Sequence, residues 1–125
     1  MARGRAVIDV PDALMQSLLR GVPIVAEIPP IDPENRAWVD LRKTSGHNAL
    51  RPTAPRGPVE YVLYRFEVSR EIIDSGMEDR GDLCYRRHVE KFRTTAIGEA
   101  VERALEYQPD WSKWRRTGDD PDMPC

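Results

Sequence analysis

The chain has 125 residues and a mass of 14.3 kDa, with 40% hydrophobic residues, 32% charged residues and a formal net charge of -2. This length fits one domain, which can bury a core without disulfides. The nearly balanced charge excludes a protein whose main task is to coat nucleic acid or an anionic membrane, because those partners require a strong positive excess.

The N-terminal part of the chain predicts a strand, a helix and a second strand. Branched side chains are frequent in residues 5–10 and 22–28, and prolines end both segments. Between them, apolar residues recur at helical spacing from Leu14 to Leu19, and Gly21 provides a C-terminal stop. The sequence leaves open whether the two strands pair with each other.

A second helix is predicted directly after this unit. Asp32 is a capping residue, Pro33 suits the first helical turn, and Trp38 and Leu41 would share one side of a helix that ends near Lys43. We therefore expect a helix over residues 33–43.

Residues 44–58 are rich in proline and glycine and have no periodic apolar face, which predicts a loop or an extended arm. Arg51 and Arg56 make this segment mildly basic. It is either a connector or an arm that docks on a protein partner.

Two long strands are predicted in the second half of the chain. Residues 59–68 are dense in aromatic and branched side chains, and we expect a central strand. Its core face comprises Glu60, Val62, Tyr64, Phe66 and Val68. Residues 83–93 predict a second strand, antiparallel to the first.

The C-terminal part predicts one amphipathic helix and a tail. Apolar residues recur at helical spacing from Ile97 to Leu105, and the alanines among them allow close approach to a sheet. The residues from Thr117 to Cys125 are acidic and have nothing to bury, which predicts a loose tail. These elements predict a single α+β domain over residues 1–116, with a mixed or antiparallel sheet of about four strands and two or three helices mainly on one face.

The first candidate site is a surface for a protein partner. Tryptophan and arginine dominate interface hot spots, and both are concentrated between residues 111 and 116. The predicted protein-binding residues are Trp111, Trp114, Arg115, Arg116, Arg51 and Arg56. Alternatively, the indole rings cover the edge of the sheet and only the arginines face water.

The second candidate site is the basic strand 85–93, which would bind RNA or phosphate. Basic residues next to an aromatic ring can hold phosphates and a stacked base, and His88 with Arg86 and Glu90 could act in acid-base cleavage of RNA. The predicted nucleic-acid-binding residues are Tyr85, Arg87, His88, Lys91 and Arg93. The alternative is an edge strand whose charges discourage aggregation.

Metal and cofactor sites are not expected. Cys84 and His88 are four residues apart, which on a strand is roughly 13 Å and too far for one ion, and no glycine-rich phosphate loop or nucleophile elbow occurs. No secretory hydrophobic region or membrane-spanning run occurs, so we expect a cytoplasmic protein without a membrane partner.

The leading hypothesis is a small non-enzymatic protein that binds a protein partner. An accessory protein of a phage or mobile element, either an inhibitor or a structural component, fits this description. The alternative is the RNA- or phosphate-binding protein, with ribonuclease activity as one form of it. The sequence leaves the partner and the oligomeric state open.

Overall fold

The described elements are helices and the strands of one sheet. The computed structural model describes residues 10–44, 59–74 and 86–117. In chain order the elements are α1 (Asp12–Leu19), β1 (Ile24–Ile28), β2 (Asn35–Thr44), β3 (Glu60–Ser69), α2 (Arg70–Asp74), β4 (Arg86–Thr94), α3 (Ile97–Tyr107), a 3-10 turn (Trp111–Lys113) and β5 (Trp114–Arg116).

The strands pair in the order β4-β3-β2-β1-β5, and all pairs are antiparallel. This confirms the predicted α+β class, although the sheet has five strands rather than about four. The predicted strand at 5–10 (apart from Val10), the predicted arm up to residue 58 and the tail from 118 onward lie outside the described residues. None of the described helices has the length and apolar character needed to cross a membrane.

The prediction of a helix over residues 33–43 is wrong, because these residues form the turn before β2 and most of β2 itself, the middle strand of the sheet. Adjacent side chains such as Trp38 and Val39 point to opposite faces of the sheet and are both fully buried. A helix would bury only one stripe of this segment. The carboxylate of Asp32 does not cap a helix but accepts the N–H of Glu34 at 2.9 Å, within the turn before β2.

The helices α1 and α3 cover one face of the sheet, here called the helix face. The helices contribute Leu14, Leu18 and the buried alanines Ala100 and Ala104 to the core. These alanines allow the close approach that the sequence predicts, and α3 packs on β3, whose Leu63 belongs to the same core. On the predicted core face of β3, Val62, Phe66 and Val68 are buried as expected, and Glu60 and Tyr64 are half-buried. This face lies opposite the long helices.

The opposite face of the sheet has a smaller apolar cluster. Trp38 stacks on Phe66 with ring centroids 6.2 Å apart, and Val68 joins them. In the described part of the chain, the only helix on this cluster is the short α2, through Ile72 and Ile73. Since both faces bury side chains, hydrophobic alternation in β3 could not indicate which face carries the long helices.

A buried carboxylate holds the connection between β1 and β2. Glu67 of β3 is fully buried and accepts the backbone N–H groups of Ile31 and Asp32. Its carboxylate also accepts the amide of Asn35 at 3.0 Å and the guanidinium of Arg65 at 2.8 Å. The loop before β2 is thereby fixed to the adjacent strand.

Candidate functional site

A groove of about 510 Å³ lies between the start of α1 and the C-terminal segment. Apolar side chains of both α1 and the C-terminal segment line this groove, together with two arginines at the end of the C-terminal segment. The residues that line it are Pro11, Ala13, Leu14, Trp111, Ser112, Trp114, Arg115 and Arg116. The four C-terminal residues predicted as a protein-binding surface are thus brought together at one groove.

The two tryptophans of this groove have different environments. Trp114 is buried in the main core, and its indole N–H donates to the carbonyl of Gln108 at 3.0 Å. Trp111 is half-buried, and the two ring centroids are 5.6 Å apart. Trp114 therefore fixes the C-terminal side of the groove, whereas the half-buried Trp111 and the exposed Arg115 are accessible to a ligand.

Local hydrogen bonds fix the segment that presents these residues. The hydroxyl and backbone N–H of Ser112 donate to the carboxylate of Asp110, at 2.7 and 3.0 Å, and lower the pKa of Asp110. After β5, the N–H of Thr117 donates to the carbonyl of Pro23 at 3.0 Å. The C-terminal side of the groove is thus held by hydrogen bonds at both ends. Thr117 therefore belongs to the folded part rather than to the predicted tail.

A β-bulge divides the basic strand β4. Arg65 of β3 lies opposite Glu90, and Glu67 lies opposite Arg87, so β4 has one more residue than β3 in this interval. His88 takes up this extra residue with a φ of 52°. Side chains on the two sides of the bulge therefore do not follow the strict alternation of a regular strand.

The bulge changes which basic residues share a face. Arg86 lies opposite Val68, and Lys91 lies opposite Tyr64, so both point to the face opposite the long helices. Arg87 lies opposite Glu67 and points to the helix face. The expected grouping of Arg87 with Lys91 is therefore replaced by a grouping of Arg86 with Lys91.

Basic side chains surround aromatic rings on this face. The Lys91 ammonium and the Arg42 guanidinium each lie 5.4 Å from the centroid of Tyr64, and the Arg86 guanidinium lies 4.3 Å from that of Phe66. We call Arg42, Arg86, Lys91 and Arg93, together with Tyr64, the cationic patch. The role of Arg42 and Tyr64 was missed because Arg42 was assigned to a helix and Tyr64 to the core.

Some of the remaining predicted site residues are not described, and others lie on opposite faces of the sheet. Tyr85 of the basic strand, and Arg51 and Arg56 of the proline-rich arm, lie outside the described residues. The proposed cleavage set is divided, because Glu90 points to the helix face beside Arg65 while Arg86 points to the other face. Within the described ranges, no group of histidine, cysteine and acidic residues could hold a metal ion.

Comparison with known protein families, with curated proteins and with solved structures gave no significant match. The groove and the cationic patch are therefore the features from which a function can be inferred.

Proposed function

We propose that this protein is a non-enzymatic binding domain that receives an extended acidic segment of a protein partner in the groove between α1 and β5. The observation that carries the proposal is the groove itself. Its volume of about 510 Å³ lies in the range of ligand-binding clefts, and it combines an apolar floor with charged residues at its rim.

The chemistry of the rim favours an acidic partner. Arg115 and Arg116 are exposed at the groove, and the exposed Lys113 precedes them in the 3-10 turn. Positive charge at the rim of an interface attracts and orients an acidic ligand. The half-buried ring of Trp111 offers a contact for one apolar side chain of that ligand.

The position of β5 favours an extended ligand. β5 is the last strand of the sheet, and among the described strands it pairs only with β1. An extended segment that enters the groove would reach the backbone groups along the other side of β5 and could add a strand to the sheet. Backbone pairing of this kind would supply affinity, while the groove would select an apolar side chain.

The test uses synthetic peptides and the fluorescence of Trp111. Trp38 and Trp114 are buried, so Trp111 is the tryptophan whose emission a ligand in the groove should change most. We expect an acidic peptide with one leucine to shift this emission and to bind, and a lysine-rich peptide of the same length to do neither. Trp111→Phe should remove the shift but not the folding transition.

A charge variant separates the groove from the rest of the surface. Arg115→Glu should reduce the affinity for the acidic peptide roughly tenfold. Arg20→Glu is the matched control with the same change of charge, because Arg20 is exposed at the other end of α1 and does not line the groove. Equal loss in both variants, or no binding of any acidic peptide, would refute the proposed function.

A further inference from the structure

We propose that the cationic patch binds single-stranded RNA, with phosphates on Arg86, Lys91 and Arg93 and a base against Tyr64. This surface is separate from the groove, since β4 and β5 are the opposite edges of the sheet. The inference is therefore independent of the proposed protein partner.

The first step of the argument is the alignment of charge by the bulge. Arg93 lies opposite Val62 and Lys91 opposite Tyr64, so with Arg86 they form one row along the edge strand on a single face. Arg86, Lys91 and Arg93 are all exposed. Lys91 and Arg93 are separated by roughly 7 Å along the strand, which lets each contact a different phosphate of an extended chain.

The second step is the state of these charges. Arg42 is neutralised by Asp40, which its guanidinium contacts at 2.7 and 3.0 Å, and this carboxylate raises the pKa of Arg42. Arg93 lies 4.0 Å from Glu60, which is a loose pair. Among the described residues, Lys91 and Arg86 contact rings rather than carboxylates. Their charge is therefore available to an anion at the surface.

The third step identifies the anion as a nucleic acid. A row of cations alone would bind any polyanion, but Tyr64 of β3 lies beside the row, opposite Lys91, and is only half-buried. An aromatic ring flanked by cations on a sheet face provides stacking for a base and neutralisation for its phosphates. Bases that are unpaired can reach such a ring, whereas those of an RNA duplex are held in its stack, which favours a single strand.

The test is fluorescence anisotropy of a labelled oligouridine with the full-length protein over a series of salt concentrations. If three cations contact phosphates, log K should fall with log salt with a slope of about -2. Lys91→Ala should reduce the size of the slope by about 0.7 and weaken binding, and Arg86→Ala should do the same. Tyr64→Leu should weaken binding by about tenfold through lost stacking.

Arg87→Ala is the matched control, because Arg87 is an exposed arginine of the same strand that points to the helix face. Its affinity should equal that of the unchanged protein, and circular dichroism should verify that every variant is folded. Absence of binding at low salt, or equal weakening by Arg87→Ala and Lys91→Ala, would overturn the proposal. Unchanged affinity in Tyr64→Leu would also overturn it, because any polyanion would then suffice.

Discussion

The carboxylate of Glu67 is the buried group on which the β1–β2 connection depends. Burial opposes its ionisation, but donation from the N–H of Ile31, from Asn35, from Arg65 and from the N–H of Asp32 outweighs burial and lowers the pKa of Glu67 to about 2. Arg65 in turn is only 6% exposed, and its Nη1 atom has no hydrogen-bond partner among the described residues. Glu67 provides the close, buried ion pair of this guanidinium at 2.8 Å, and the exposed Glu90 provides a longer one at 3.7 Å.

We expect Glu67→Gln to lower the free energy of unfolding by about 3–5 kcal/mol, because it removes the close partner of a buried charge and leaves Arg65 only the exposed Glu90 at 3.7 Å. The carboxamide of the Glu67→Gln variant would also point its own N–H donors at the groups that donate to the carboxylate of Glu67. Urea denaturation followed by circular dichroism measures the change.

Glu71→Gln is the control for this substitution, since Glu71 is an exposed residue of the short helix α2. It should change the free energy of unfolding by no more than about 0.5 kcal/mol. A loss of less than about 1 kcal/mol in Glu67→Gln would contradict the structural role assigned to this carboxylate.

Among the secondary-structure elements, β4 is the one whose backbone is locally strained. His88 has a left-handed φ of 52°, which costs a residue with a Cβ atom roughly 1–2 kcal/mol and costs glycine nothing. The His88 side chain is exposed, so it has little packing to lose. The strain is thus a property of the bulge rather than of a side-chain contact.

We expect His88→Gly to raise the free energy of unfolding by up to about 1 kcal/mol relative to His88→Ala, after the larger backbone entropy of unfolded glycine is deducted. His88→Val should be the least stable of the three, because β-branched residues tolerate positive φ worst. Thermal denaturation of the three variants in the same buffer gives their order of stability. A glycine variant less stable than the alanine variant would show that the bulge does not impose this conformation.

The elements differ in how far their sequences determined the predictions. α1, α3 and β3 were predictable because each repeats apolar residues at the period of its own structure over several turns or pairs. β2 was not, because a strand that is buried on both faces has no alternation, and the Asp32-Pro33 start is shared by helices and turns.

The candidate sites were predictable only in part, and for a geometric reason. Trp111 and the arginines after it are neighbours in sequence, so their grouping could be predicted. Their companion Leu14 comes from the other end of the chain, and only the fold brings it to the groove. The cationic patch depends on a one-residue bulge, which reverses the faces of all later residues and leaves no signal in composition.

At the scale of the whole molecule, the stability should depend on pH through Glu67. Its pKa in the folded protein is about 2, below the ordinary value of 4.5, so the unfolded chain takes up this proton at a higher pH than the folded chain does. The stabilisation by ionised Glu67 is therefore fully present above about pH 4.5 and is lost as the pH falls towards 2. The shift corresponds to about 3 kcal/mol, a large part of the stability of a domain of this size.

We expect the free energy of unfolding, measured by urea denaturation at a series of pH values, to decrease between about pH 4.5 and 2, and the decrease to be smaller in Glu67→Gln. Other carboxylates titrate in the same range, so the difference between the two proteins isolates Glu67. Asn35→Ala provides a milder variant: it removes one donor to Glu67, raises the pKa of this carboxyl and shifts the acid-induced loss to higher pH. If the free energies of unfolding of the unchanged protein and of Glu67→Gln decreased in parallel over this pH range, Glu67 would not be the group that links protonation to unfolding.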